Sequence, residues 1–237
     1  RNIDWLEWGY NRDGLDLPQV NLGLVLSLHR HLPLYFKLFP GSISDVATLK
    51  NLVAEVKALG ISKSLFVLDR GFYSEANIKE MHDANIDFII PLPFSVNVGK
   101  GLISETNREI ESSANAKRFG GDIFYVLESA IQIGDVEAYG YVLFNKKREG
   151  LETNSFYNRL IDIECAIDGK EFRNPIGQFK RTAGNFERYF EYIVDGKTIH
   201  LRRRVNAISQ AVNRFGKTIL LSSSKRSWDE VLSLYRE

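Results

Sequence analysis

SLFVLDRGFYS, residues 64–74, is the stretch of sequence that decides the fold. Ser64–Leu68 is short and almost wholly apolar, which is typical of a strand covered on both faces in the middle of an α/β sheet. Ser74 is a favoured N-cap residue and predicts a helix that runs to Ala84. A buried strand followed at once by a helix predicts an α/β fold, with Asp69 just past the carboxyl end of the strand.

The sequence before this segment predicts a hairpin and a helix. Gln19–Leu28 alternates apolar and polar residues, and Leu32–Phe39 is rich in apolar and aromatic residues. Together they predict an antiparallel hairpin that follows a polar loop at residues 9–18. Ser44 then caps a helix that ends at Gly60.

The pattern changes after Asp87–Pro91, which is predicted to be another buried strand. From there to residue 215 helical periodicity is weak, and short strand-like runs surround one short predicted helix at Glu152–Ile163. Gly216–Ser222 again has the pattern of a buried strand, and Ser227–Glu230 has the form of a capping box that opens a helix. The predicted organisation is a core over residues 1–92, a β-rich insertion over 93–215, and a return to the core over 216–237.

Composition indicates a globular protein, with 44% hydrophobic and 26% charged residues. The longest apolar run, Leu22–Leu28, is far too short to span a bilayer. Cys165 is the single cysteine, so an internal disulfide and a multi-cysteine zinc site are excluded. The four histidines have no spacing that predicts a metal site.

Positive charge is concentrated near the end of the chain. Residues 173–226 contain 12 basic and three acidic residues, a balance of +9, although the whole chain has a net charge of +1. Charge of this density is what a nucleic-acid backbone attracts. The alternative is a solvated basic surface without a partner.

Asp69 is the strongest candidate for chemistry. Ligands of open α/β sheets bind beyond the carboxyl ends of the strands, and a carboxylate there faces a crevice rather than the core. The alternative is structural, because an aspartate at the end of a strand is also a common turn or cap residue.

Phe66–Ser74 also resembles the second-aspartate motif of insertion-sequence DDE transposases. Three other segments resemble the same family in the same order: Gly9–Gly14 followed by Leu17–Val20, Pro40–Asp45, and Ser227–Tyr235. Ser227–Tyr235 is similar to the segment that leads into the family's Y-x2-R-x3-E-x6-K signature and ends at its tyrosine.

The resemblance implies an RNase H-like mixed sheet with helices, interrupted by a β-rich insertion. It implies that Asp69 is catalytic and is a ligand that bridges two Mg²⁺ ions. Tyr235 takes the place of the signature tyrosine, a phosphate contact. Arg202, Arg203 and Arg204 would alternate between the two faces of a strand, and we expect them to contact DNA or a carboxylate.

The resemblance also implies where the other acidic residues lie. The first aspartate belongs to a strand expected before Arg1, and the glutamate follows the tyrosine by seven residues, beyond Glu237. Residues 1–237 alone are therefore not expected to cleave DNA. The implied partners are transposon ends and target DNA, bound by a homodimer in the cytoplasm of a bacterial or archaeal cell, at the nucleoid.

Two alternatives stay open. One is a metal-dependent RNase H-like nuclease that never transposes. The other is a non-catalytic DNA-binding protein derived from a transposase.

Overall fold

The structure is a computed structural model that describes residues 6–8, 18–27, 32–42, 45–58, 60, 64–106 and 109–236. Three predictions fall on other residues: most of the loop at 9–18, the hairpin connection at 29–31 and the cap Ser44. Among the described residues, no helix is long and apolar enough to cross a membrane.

The described residues form a mixed α/β fold. The strands are β1 (Val20–Ser27), β2 (Leu32–Pro40), β3 (Leu65–Val67), β4 (Asp87–Pro91), β5 (Ala116–Phe119), β6 (Asp122–Ile133), β7 (Val136–Phe144), β8 (Lys170–Glu171), β9 (Phe190–Asp195), β10 (Thr198–Arg203) and β11 (Lys217–Ser222). The helices are α1 (Asp45–Ala58), α2 (Glu75–Asp83), α3 (Asn97–Thr106), α4 (Lys146–Ile167), α5 (Pro175–Ala183), α6 (Val205–Val212) and α7 (Trp228–Arg236).

The chain divides into two compact units, and the first comprises residues 1–101, 127–142 and 219–237. Its main sheet has the order β3-β4-β11-β7-β6. β3 is parallel to β4, and β4 is antiparallel to β11. Phe88, Ile89 and Ile90 of β4 are fully buried, as are Leu220 and Leu221 of β11. β4 and β11 are therefore covered on both faces, as their continuous apolar runs predict. The same prediction is wrong for Ser64–Leu68, because β3 is an edge strand of this sheet among the described residues and its side chains are only half-buried.

The predicted hairpin is confirmed, and β1 and β2 form a separate antiparallel sheet. Helix α1 covers one face: a Cβ on Gly23 would lie 2.9 Å from the Phe39 ring and 3.5 Å from Leu52, so only glycine fits there. The other face exposes large apolar side chains at 41–65%, namely Leu22, Leu24, Leu26, Leu34, Phe36 and Leu38. Within the described part of the chain, the hairpin is thus packed on one face only.

The second unit comprises residues 102–126 and 143–218. Its core contains Phe156, Leu160 and Ile163 of α4 together with Phe179 of α5 and Ile199 of β10. β10 is the middle strand of a three-stranded antiparallel sheet in the order β8-β10-β9. The remaining strand, β5, pairs antiparallel with the first part of β6.

Residues 93–215 differ from the sequence prediction. The short helix predicted at Glu152–Ile163 is the middle of the 22-residue α4, and α3, α5 and α6 were not predicted. The first part of α4 buries no side chain before Phe156, so its apolar periodicity is incomplete. In addition, residues 127–142 belong to the sheet of the first unit. The segments 1–92, 93–215 and 216–237 stay a prediction of domain organisation.

The start of α7 also differs in one detail. The predicted capping box would direct the Glu230 carboxylate back to a backbone N–H of the first turn. Instead, Glu230 Oε1 accepts from the Arg226 guanidinium at 2.7 Å. Asp229 takes the local role, since hydrogen bonds from Ser227 and from backbone N–H groups lower the pKa of its carboxyl. The helix itself is confirmed.

Candidate active site

Asp69 lies two residues beyond β3 on the edge of the first unit's sheet. The Leu68 N–H donates to Ile89 O at 3.0 Å, so the parallel pairing with β4 extends almost to the aspartate. Asp69 is exposed and starts a 3-10 turn at Arg70–Phe72, where its Oδ1 accepts from the Arg70 N–H at 2.6 Å. This hydrogen bond from the Arg70 N–H uses one acceptor site of the Asp69 carboxylate, and a carboxylate has about four such sites. A cap role and a ligand role are therefore compatible.

The residues after Asp69 fix the turn. The Ser74 side chain accepts from the Asn77 N–H at 3.0 Å and caps α2, as predicted. The Asn77 side-chain amide donates to Phe72 O at 2.8 Å. Tyr73 is buried, and burial, reinforced by the charge of Glu75, raises the pKa of its phenol. Helix and turn hold one another, so the backbone at the aspartate is defined by local contacts.

Tyr235 approaches Asp69 from the last turn of α7. Helix α7 packs against β4 through its buried face, where Val231 is fully buried and Leu232 is 4% exposed. Burial raises the pKa of the Tyr235 phenol, the Asp69 charge raises it further, and Arg70 opposes them. Residues 166 positions apart in the sequence therefore interact electrostatically. Both are residues that the resemblance to the family singles out.

The donor chemistry at Asp69 fits a hard divalent cation in part. An exposed carboxylate held by a backbone cap is the type of oxygen ligand that Mg²⁺ prefers. Among the described residues, however, no group of three or more His, Cys, Asp or Glu side chains could hold a metal ion. Asp69 thus fits as a single oxygen ligand of a divalent cation.

The three consecutive arginines of the second unit have different surroundings. Arg203 points to α4, where its Nε and Nη2 donate to the Glu164 carboxylate at 2.6 and 2.5 Å. Arg202 is exposed and has no ion-pair partner among the described residues. Arg204 is exposed and lies 3.8 Å from Glu191, a loose surface pair. Arg202 and Arg203 alternate along β10 as expected, and Arg203 has a carboxylate partner. Arg204 differs from the expectation, because it lies just past the strand at the N-cap of α6.

Arg204 lies where two open surface depressions meet. One, of about 470 Å³, is also lined by Arg188, and the other, of about 540 Å³, is also lined by Arg202. Both lie on the second unit, next to the antiparallel β9–β10 pair. Four arginines and two glutamates therefore border these depressions, namely Arg188, Arg202, Arg203, Arg204, Glu187 and Glu191.

Residues 173–226 have fewer basic side chains free to contact DNA than their net charge suggests. Lys217 donates to Asn213 O at 2.8 Å and lies over the Phe144 ring, and burial lowers the pKa of its amine. Arg226 pairs with Asp87 and Glu230. Arg203 is paired with Glu164, and Arg188 donates to the Tyr189 hydroxyl at 2.8 Å. Several of the 12 basic residues in 173–226 thus have partners within the chain.

An exposed carboxylate just beyond the half-buried parallel strand β3 lies where α/β proteins commonly bind ligands. Within that class, the chain belongs to the transposase DDE domain family, whose model matches residues 1–184 of 237. A search of curated proteins and a search of solved structures each gave no match. The predicted family is confirmed, and the mixed α/β fold is consistent with an RNase H-like core. Tyr235 and Arg202–Arg204 lie beyond the matched residues.

Proposed function

We propose that this chain carries the catalytic aspartate and part of the DNA-binding surface of an insertion-sequence transposase. The enzyme would cleave phosphodiester bonds at transposon ends and transfer the freed strand to target DNA. The observation that carries the proposal is the exposed position of Asp69 two residues beyond β3, within the part of the chain that matches the family. The electrostatic interaction between Asp69 and Tyr235 supports it.

Asp69 would act as a metal ligand. Its capped backbone fixes the carboxylate, and the neighbouring 3-10 turn and α2 hold that backbone. Mg²⁺ bound there would supply activation of the attacking oxygen and stabilisation of the leaving oxygen, and Asp69 would be one of its ligands.

Tyr235 would position a phosphate. A neutral phenol donates a hydrogen bond to a phosphate oxygen and adds no charge that would repel it. The raised pKa of Tyr235 keeps the phenol protonated at neutral pH. Its half-buried ring limits the directions in which the hydroxyl can point.

The second unit would hold DNA through its exposed arginines. Arg202 and Arg204 are the two of the three that reach solvent, and Arg188 borders the same surface. We assign Arg203 a supporting role, since its bidentate pair with Glu164 holds the end of β10, which carries Arg202 and is followed directly by Arg204. Such contacts bind the backbone and are independent of base sequence. A homodimer assembled on DNA would bring two transposon ends together.

One assay separates this proposal from its alternatives. The complete polypeptide is incubated with a labelled duplex that ends in the element's terminal sequence and with a supercoiled target, with Mg²⁺ or with EDTA. We expect nicked ends and joined products with Mg²⁺ and neither with EDTA. Nicks without joined products would indicate a nuclease. Binding without nicks would indicate a non-catalytic DNA-binding protein.

A further inference from the structure

Helix α7 is anchored at its start by a cluster of side chains that the sequence does not connect. We propose that Arg226, with Tyr141 and Asp87, forms an anchor that positions α7 and so sets Tyr235 against Asp69. This inference rests on the proposed function of Asp69. Arg226 is a positioning residue in it, not a catalytic one.

The backbone of Arg226 is held by a residue of β7. The buried Tyr141 hydroxyl donates to Arg226 O at 2.7 Å and accepts from the Arg226 N–H at 3.0 Å. The Tyr141 hydroxyl therefore satisfies both the N–H and the C=O of Arg226, just before the helix begins. Tyr141 itself is 1% exposed, so its position is determined by the core of the sheet.

The side chain of Arg226 joins that sheet to the helix. Its guanidinium lies 3.5 Å from the Asp87 carboxylate at the start of β4 and donates to Glu230 in the first turn of α7 at 2.7 Å. Ser223 fixes Asp87 in turn: its hydroxyl donates to Asp87 at 2.7 Å and accepts from the Phe88 N–H at 3.0 Å. The Arg226 side chain is 22% exposed, which limits screening by solvent.

The geometry explains how the anchor acts at a distance. Nine residues separate Arg226 from Tyr235, roughly 14 Å along a helix that rises 1.5 Å per residue. α7 is short and buries few side chains, chiefly Val231 and Leu232. Its orientation therefore depends on how its first turn is held, and a small tilt there would displace Tyr235 from Asp69. Misplacement by about 1 Å costs up to about 100-fold in rate.

The test compares Arg226→Met and Tyr141→Phe with Lys79→Met in the complete polypeptide. Arg226→Met keeps the apolar stem and removes both ion pairs, and Tyr141→Phe removes the hydroxyl while keeping the ring in the core. Lys79→Met is the matched control, because it breaks the exposed pair with Asp83 on α2. Three quantities are measured: hydrogen exchange of the α7 amides, affinity for transposon-end DNA, and the single-turnover nicking rate constant at saturating DNA.

We expect faster exchange along α7 and a nicking rate constant lowered between about tenfold and about 100-fold, with DNA affinity unchanged. Lys79→Met should alter none of these. Unchanged exchange in both anchor variants overturns the anchor, and faster exchange with a normal rate constant overturns its positioning role. If Arg226→Met fails to fold, Tyr141→Phe decides. Asp69→Asn is assayed beside them: full activity there refutes the proposed function, while hydrogen exchange still decides whether Arg226 holds α7.

Discussion

Asp69→Asn is expected to reduce both cleavage and strand transfer in the complete transposase by several orders of magnitude. Asparagine is nearly isosteric but neutral, and a ligand that bridges two cations depends on its negative charge. Because both steps use the same metal ions, the two activities should fall together. DNA binding should persist, since the proposed binding surface lies on other residues.

Asp69→Asn separates a metal-ligand role from a structural role, because the hydrogen bond from the Arg70 N–H to the side chain at position 69 can persist. The asparagine oxygen can still accept the Arg70 N–H, and aspartate and asparagine are about equally good caps. We expect a change in unfolding free energy below about 1 kcal/mol. Asp83→Asn is the matched control: it makes the same chemical change at an exposed carboxylate that pairs with Lys79. Wild-type turnover in Asp69→Asn would mean that the aspartate only caps the turn.

Arg202→Ala combined with Arg204→Ala is expected to weaken DNA binding about equally for all sequences. Each phosphate contact contributes about 0.9 to the slope of log affinity against log salt concentration, so the slope should fall by about 2. Extrapolated from about 1 M to about 0.1 M salt, this is about 60-fold weaker binding. Titration of labelled duplexes at several salt concentrations measures both quantities.

Two controls make the arginine experiment specific. Lys146→Ala with Lys147→Ala also removes two positive charges from the second unit, but at side chains paired with Glu111 and Asp122. That variant should keep the wild-type salt slope. Arg203→Ala should instead lower thermal stability, because it leaves the partly buried Glu164 carboxylate without its partner. An unchanged salt slope in the Arg202 and Arg204 double variant would show that these two arginines make no phosphate contacts.

Local patterns predicted the elements around Asp69 well. The strand, the Ser74 cap and helix α2 lie within about 20 residues of one another, and each depends on contacts between neighbours in sequence. The predicted burial of the strand is wrong, because burial depends on where the strand lies in the sheet, and β3 lies at its edge. The hairpin was predictable for the same reason. Its alternating residues specify two faces, and one of them is covered by α1.

Helices in the middle of the chain were harder to predict. α4 buries Phe156, Leu160, Ile163 and Ile167 in a narrow stripe, and its first turns have no apolar face. The start of α5 does have a local signal in the sequence. Asn174 followed by Pro175 is a favoured helix start, and Asn174 Oδ1 accepts from the Gly177 N–H at 3.0 Å.

Long-range partners could not be predicted from the sequence at all. Arg203 pairs with Glu164 across 39 positions, and Arg226 approaches Asp87 across 139. No periodicity links such residues, because their meeting depends on how helices and strands pack. The resemblance to the family predicted that Asp69 and Tyr235 belong to one site, and only the packing of α7 on β4 gives a physical reason.

The most direct test of a metal-ligand role for Asp69 is nicking by Asp69→Cys with Mg²⁺ and with Mn²⁺. Mg²⁺ takes oxygen ligands and binds a thiolate poorly, whereas Mn²⁺ is softer and tolerates sulfur better. If the side chain binds the catalytic metal, the variant should be inactive with Mg²⁺ and should recover nicking with Mn²⁺, while the wild type nicks with both. Equal activity of the variant with the two metals, or no recovery in a folded variant that still binds DNA, would contradict the assignment.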